Sequence, residues 1–160
     1  MMRMFTLRDS TLIHAPIERV FALSCSVAIV ERELGMHPVA GKTAGLVTAA
    51  DVIRWQGMQL GFPNYHVSLI VPETWEPLRF FQDRMIAGRF RSFEHDHRFT
   101  QTADGVLLND EVRFAMPLGW PGWLVGKTVL VPHIRGLMRR RFHLLKRLAE
   151  GEGWREYLAD

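Results

Sequence analysis

The chain has 160 residues, of which 48% are hydrophobic and 23% charged, with a net charge of +3 and a single cysteine. These values are typical of one globular domain and exclude a disordered chain, a coiled coil and a fold held by intrachain disulfides. No stretch approaches the roughly 20 apolar residues that span a bilayer, and the first ten residues lack the apolar core of a signal peptide. We therefore expect a cytoplasmic protein with a single domain over residues 1–160.

The first half of the chain is predicted to contain one strand, two short helices and further strands. Alternation over Met4–His14 predicts the first strand, and proline at the start of Pro16–Cys25 favours a short helix there. A second short helix over Ser26–Leu34 is expected to end at Gly35, before a glycine-rich loop over Met36–Thr48. Three strands are then predicted, at Asp51–Leu60, Tyr65–Val71 and Arg79–Met85. A turn at Gly61-Phe62-Pro63 is expected to separate the first two of them.

The stretch Ser92–Pro117 is predicted to form a β-hairpin. Two alternating runs flank Asp104-Gly105, a dipeptide that favours the positive φ angles of tight hairpin turns. With these two residues as the loop, Ala103 faces Val106, and odd positions before the turn share a face with even positions after it. The inner face then contains Phe93, His95, His97, Phe99, Leu108, Asp110, Val112, Phe114 and Met116. Charged and amide side chains occupy the opposite face.

After Gly119 the apolar period changes to about 3.6 residues, which predicts a long C-terminal helix that is kinked or interrupted at Pro132. Its apolar stripe comprises Ile134, Leu137, Met138, Leu144, Leu145 and Leu148. The basic residues Arg135, Arg139, Arg140, Arg141, Lys146 and Arg147 are interpreted as a solvated face. The alternative is a membrane surface bound through Arg135, Arg139, Arg140 and Lys146. We expect Trp120 and Trp123 to pack on the sheet or to close a cavity mouth, and we expect no nucleic-acid partner.

This order of elements, with Ile13-His14-Ala15-Pro16-Ile17-Glu18-Arg19-Val20-Phe21 at the first strand–helix junction, resembles the START-like, or SRPBCC, superfamily. The segment Phe93-Glu94-His95-Asp96-His97-Arg98-Phe99, with Asp110 downstream, looks like a bacterial branch described as ligand-binding or cyclase/dehydrase-like proteins. The resemblance implies an α+β helix-grip fold, in which a curved antiparallel sheet of about six to seven strands wraps around the long C-terminal helix. It also implies a cavity between the two for an apolar or amphipathic molecule.

Two main functions are compatible with the polar residues of the hairpin. In a carrier or sensor, His95, His97 and Asp110 would anchor the polar end of a small hydrophobic ligand. In a cyclase/dehydratase-type enzyme, the same three residues would be the catalytic acid and base. A lipid or quinone chaperone that docks on membranes is a third possibility. The residues expected to contact the ligand are Trp55, Tyr65, Phe93, His95, His97, Phe99, Asp110, Val112, Phe114, Leu137 and Met138, with His66 pointing outward.

We expect no cofactor and no bound metal. His95 and His97 lie two residues apart on one strand face, about 6.6 Å along the chain, so both imidazoles could reach one ion. Asp110 is placed diagonally to His97 across the hairpin as a third ligand. The sequence offers no convincing fourth ligand, because the only cysteine, Cys25, is remote. Oligomeric state is not predicted.

Overall fold

A computed structural model describes residues 3–158. The strands are β1 (Met4–Ile13), β2 (Met36–Gly41), β3 (Val52–Gln59), β4 (Phe62–Ile70), β5 (Phe80–Gly88), β6 (Ser92–Thr102) and β7 (Gly105–Ala115). The helices are α1 (Ile17–Ser24), α2 (Val27–Leu34), α3 (Gly119–Val125), α4 (Val131–Glu150) and α5 (Arg155–Leu158). The strands form one antiparallel sheet in the order β1-β7-β6-β5-β4-β3-β2. The helix-grip architecture expected for the chain is therefore confirmed.

Helix α1 follows Pro16 without a side-chain cap, whereas α2 forms where its capping residues indicate it. The Ser26 hydroxyl accepts a hydrogen bond from the Ile29 backbone N–H (3.4 Å) at the start of α2, and Gly35 ends the helix with a φ of +66°. Val20 and Leu23 of α1 are fully buried in the main core beneath the sheet. Packing of these apolar faces, rather than intrinsic helix propensity, stabilises helices this short.

The prediction of a loop over Met36–Thr48 is wrong in its first half, because Met36–Gly41 forms the edge strand β2, which pairs with β3. Pro38 lacks a backbone donor but is tolerated in an edge strand. Gly41 has a φ of +78°, and a Cβ atom there would lie 2.0 Å from the Val52 carbonyl oxygen, so the position requires glycine. The next turn is also shifted, because Leu60 and Gly61 both have positive φ and β4 starts directly after them.

The β6–β7 hairpin has the predicted faces but a different register. Thr102 pairs with Gly105, so the loop is Ala103-Asp104 and the pairing is shifted by two residues from the predicted one. The Thr102 hydroxyl donates to the Gly105 carbonyl (2.8 Å) and accepts from the Asp104 N–H (3.2 Å), which closes the loop one residue earlier. A shift of two residues keeps every side chain on its face, and it places Asp110 directly opposite His97.

The C-terminal helical region is interrupted next to Pro132, as predicted. A π-helical turn over Gly126–Leu130 separates α3 from α4, and Pro132 lies in the first turn of α4. Ile134, Met138 and Leu145 face the sheet from α4. Within residues 3–158, no helix is long and apolar enough to cross a membrane.

The assignment of Arg141 to the solvated face of the long helix is wrong, because only 4% of this residue is exposed. Arg141 lies seven residues after Ile134 and seven before Leu148, which places it on the buried stripe. Of the two tryptophans near the start of the helical region, Trp123 stacks on Phe5 of β1 (6.3 Å between rings), whereas Trp120 is 73% exposed.

Candidate functional site

A cavity of about 210 Å³ lies between the inner face of the sheet, α2 and α4. Much of its wall is apolar, including side chains of Val27, Ile53, Trp55 and Leu137. A polar group of side chains, described below, interrupts this surface on β5 and β6. Since an apolar cavity of about 150 Å³ can hold benzene, this cavity has room for a molecule with a single ring or with two fused rings.

The structure divides the residues predicted to contact a ligand into two groups. Those that line the cavity are Trp55, Phe93, His95, His97, Val112, Leu137 and Met138. Phe99 and Phe114 point inward but pack in the hydrophobic core, Phe99 against the Phe21 ring at 5.0 Å and Phe114 against the Phe5 ring at 5.0 Å. The Asp110 side chain is fully buried behind the two histidines. These three residues are therefore core or supporting residues.

The orientation predicted for β4 is wrong. Asn64, His66 and Ser68 face the cavity, whereas Tyr65 is 41% exposed on the convex face of the sheet. The prediction relied on the apolar residues at 67, 69 and 71, but those at 67 and 69 lie half-buried on the convex face. Polar side chains on the inner face of β4 can bond to other residues of the cavity. The Ser68 hydroxyl, for example, accepts a hydrogen bond from the Trp55 indole N–H (3.3 Å).

Asp83 on β5 is a cavity residue that the sequence analysis did not identify. The β5–β6 register places Asp83 opposite His95 and Phe81 opposite His97. Asp83 Oδ2 lies 2.9 Å from His97 Nε2 and 3.9 Å from His95 Nδ1. The Phe81 ring stacks on the His97 ring at 4.5 Å, which fixes the plane of that imidazole.

Asp110 and Arg141 support the two histidines from behind. Asp110 Oδ2 accepts from His95 Nε2 (3.0 Å) and from Arg141 Nε (2.9 Å). Arg141 Nη2 donates to His97 Nδ1 (3.1 Å) when that nitrogen is unprotonated, and His97 Nε2 then donates to Asp83. Arg141 Nη1 also lies 3.5 Å from Glu33 Oε2 of α2. Helix α4 is thereby connected to three other elements through one guanidinium group.

The carboxyl groups of the cluster differ in their ionisation. Burial acts to raise the pKa of Asp110, but Arg141 and the two histidines outweigh it and hold this pKa well below its usual value. The pKa of Asp83 is also lowered, because hydrogen bonding from His97 and the nearby imidazoles outweigh burial. Burial raises the pKa of Glu33 more than Arg141 lowers it. Two ionised carboxylates therefore lie beside one permanent cation.

The two imidazoles have pKa values displaced in opposite directions. Burial lowers the pKa of His95, more strongly than Asp110 and Asp83 raise it. Burial also acts to lower the pKa of His97, but the carboxylates of Asp110 and Asp83 outweigh burial and the repulsion by Arg141, so that its pKa is raised. The rings lie 3.9 Å apart. Such an arrangement can hold a proton, orient a polar ligand group or coordinate a cation.

The basic surface of α4 is smaller than predicted. Arg135, Arg139 and Arg140 are exposed, but the Lys146 ammonium donates to the Leu12 carbonyl (2.6 Å) and to Glu150 (2.7 Å). Lys146 is therefore engaged in contacts within the protein.

No protein-family model matches this sequence, and no curated protein matches it. Solved structures match the fold. The di-domain ARO/CYC BexL from the BE-7585A biosynthetic pathway is 14% identical with a TM-score of 0.72, over 92% of this chain and 50% of that one. A START superfamily protein from Mycobacterium smegmatis is 12% identical with a TM-score of 0.64, over 89% and 98% of the two chains. The protein TTHA0849 from Thermus thermophilus is 18% identical with a TM-score of 0.63, over 88% and 99%.

The fold and the cavity define a helix-grip protein with an internal chamber. The helix-grip fold expected from the resemblance is confirmed, since the structures similar to this chain include a START superfamily protein and an ARO/CYC protein. This chain spans about half of the di-domain protein.

Proposed function

We propose that this protein binds one small amphipathic molecule in the cavity, with the polar group of the molecule at His95 and Asp83. The observation that carries the proposal is the chamber itself, which is apolar over much of its wall and has polar side chains on β4, β5 and β6, among them His66, Asp83 and His95. Ligand pockets in proteins usually combine these two features. The volume of about 210 Å³ favours a ligand of one or two fused rings over a long lipid.

The proposed ligand would stack its apolar part near Trp55 and Leu137 and accept or donate hydrogen bonds at the histidine pair. The similarity to a START superfamily protein supports a small-molecule role. A cytoplasmic location and a single domain over residues 1–160 remain predictions. The third possibility, membrane docking through α4, would rely on Arg135, Arg139 and Arg140, since the Lys146 ammonium donates to Leu12 and Glu150.

A cyclase- or dehydratase-type activity is the second candidate, favoured by two observations. His95 and Asp83 reach the cavity wall, where they could exchange a proton with an occupant, and two of the similar structures are ARO/CYC proteins. The substitution His95→Ala separates the two functions. In a carrier it weakens binding about tenfold to a hundredfold, as expected for an orphaned polar group. In an enzyme it preserves binding and lowers turnover by about 10²–10⁴-fold.

The experiment is calorimetric titration of the protein, with chelator present, against a panel of one- and two-ring aromatic alcohols, ketones and carboxylates such as 2-naphthol and 2-naphthoate. We expect one site per chain. Leu137→Trp, which adds bulk to the cavity wall, should weaken binding by at least about tenfold, since filled space excludes the ligand. The control Arg139→Trp adds the same side chain to the exposed face of α4 and should leave binding unchanged. Absence of binding across the panel, or equal affinity in both variants, would refute the proposal.

A further inference from the structure

Two imidazoles and a carboxylate converge on one point of the cavity wall. Asp83, His95 and His97 each offer a ligand atom, and the three atoms lie within 4.8 Å of one another. We propose that these three side chains bind one divalent transition-metal ion, of the kind represented by Zn²⁺ or Co²⁺, in a site whose remaining coordination position opens to the cavity. The expectation of no metal rested on the lack of a convincing fourth ligand, with Asp110 as the third; the structure places Asp83 beside the histidines as the third ligand instead.

The spacing of the three atoms suits such an ion. Bonds of about 2.0–2.2 Å in tetrahedral geometry place two ligand atoms about 3.3 Å apart. Asp83 Oδ2 lies 2.9 Å from His97 Nε2 and 3.9 Å from His95 Nδ1, and these distances bracket that value. The ligand atoms of the two histidines lie within 4.8 Å of each other, so the imidazoles must move closer together to complete a tetrahedral site. A fourth protein ligand is not required, because metal sites with three protein ligands keep a position for water or substrate.

Asp110 has the position of a supporting carboxylate for both histidines. A metal-bound histidine donates its other ring N–H to such a group, which fixes the tautomer and the ring orientation. Asp110 Oδ2 already accepts from His95 Nε2 (3.0 Å), so His95 Nδ1 is left free to coordinate. Asp110 Oδ1 lies 3.4 Å from His97 Nδ1. One carboxylate therefore selects the coordinating nitrogen on each ring.

An unpartnered buried atom provides independent support. Among the side chains of residues 3–158, Asp110 Oδ1 is one of the few buried polar atoms without a hydrogen-bond partner. Coordination through His97 Nε2 requires the proton on Nδ1, where it would point to this oxygen. Arg141 Nη2 would then release His97 Nδ1, while Arg141 Nε keeps its bond to Asp110 Oδ2. Metal binding thus satisfies an acceptor that would otherwise cost free energy.

Exposure and charge agree with this division of roles. The side chains of Asp83 and His95 are 24% and 14% exposed, whereas that of Asp110 is fully buried. An ion can therefore reach Asp83 and His95 from the cavity, while the His97 side chain is 4% exposed and Asp110 is inaccessible. All three ligands lie on neighbouring strands, which hold them more firmly than loops would. The carboxylates of Asp83 and Asp110 outnumber the single guanidinium of the cluster, that of Arg141, so the cluster attracts a cation.

The test uses the full chain, freed of metal by a chelator and titrated with Co²⁺ while visible ligand-field absorption is recorded. We expect one Co²⁺ per chain, displaced by Zn²⁺. The variants Asp83→Asn and His95→Ala should each weaken Co²⁺ binding by at least about tenfold. Asp110→Asn, a change in a positioning residue, should weaken it by about 10–100-fold. The control His133→Ala removes another cavity histidine, which bonds to Gln59, and should have no effect.

Two results would overturn the metal proposal. One is a stoichiometry well below one Co²⁺ per chain. The other is an affinity unchanged by Asp83→Asn and His95→Ala, which would show that ions bind to surface histidines. The Asp83→Asn variant keeps the size of a side chain that is 24% exposed, so the test does not depend on the folding of the Asp110 variant. Because no organic ligand is present, the outcome is independent of the proposed small-molecule binding.

Discussion

Replacing Arg141 by methionine should strongly destabilise the protein, although the substitution preserves length and helix propensity. The change leaves the Asp110 carboxylate, whose side chain is fully buried, without its permanent cation. It also removes the guanidinium that faces Glu33 at 3.5 Å. Loss of one partner of a buried ion pair costs about 3–5 kcal/mol, because the remaining charge is left uncompensated. A domain of this size has a total stability of about 5–15 kcal/mol, so the loss is a large fraction of it.

The assay is urea unfolding followed by circular dichroism, with Arg140→Met as the matched control on the exposed face of the same helix. The control should change the free energy of unfolding by less than about 0.5 kcal/mol. In thermal unfolding followed by the same signal, Arg141→Met should lower the melting temperature by about 6–20 °C. Its effect should persist in about 1 M salt, since buried pairs are weakly screened. Equal effects of the two substitutions would refute the reasoning and would support the prediction that Arg141 is exposed to solvent.

Three further predictions concern single residues. Burial raises the pKa of the Cys25 thiol to about 12. This thiol should therefore resist Ellman's reagent at about pH 8 in the native protein and react quickly in denaturant. Fast reaction of the native protein would contradict the burial of Cys25. Gly122→Ala should destabilise by at least about 1–3 kcal/mol, because its Cβ would lie 1.7 Å from the Pro117 carbonyl oxygen. Gly136 lies at an exposed position of α4, where a Cβ atom would meet no other atom within 4 Å. Gly136→Ala should therefore stabilise the protein by about 0.5–1 kcal/mol in the same unfolding assay.

Local patterns predicted the fold well where one face of an element is apolar and the other polar. The β6–β7 hairpin and the apolar stripe of α4 meet this condition, and their faces are correct except for Arg141, which lies on the buried stripe. The condition fails in β4, where half-buried aliphatic residues on the convex face oppose polar cavity residues on the concave face. It also fails in β2, whose short edge pairing is set by β3 rather than by its own glycine- and proline-containing sequence.

The polar cluster of the candidate site was predicted only in the part that lies on one hairpin. His95 and His97 could be assigned to the inner face because a tight turn fixes the parity of both strands. Asp83 depends on the register between β5 and β6, which are joined by a longer turn without a diagnostic dipeptide. Arg141 could have been found, since its spacing from Ile134 and Leu148 is that of the apolar stripe. A basic residue on such a stripe indicates a buried partner, here Asp110.

The charged cluster is better explained by binding than by stability, and a paired substitution tests this. Replacing a whole buried ion pair by apolar residues is often neutral or stabilising, whereas breaking it is costly. Asp110→Leu combined with Arg141→Met should therefore recover at least half of the stability that Arg141→Met loses alone. The same double variant should bind Co²⁺ at least about tenfold more weakly than the native chain, because the histidines lose their orienting carboxylate. If the double variant is as unstable as Arg141→Met, the cluster is required for folding and its presence gives no argument for a site.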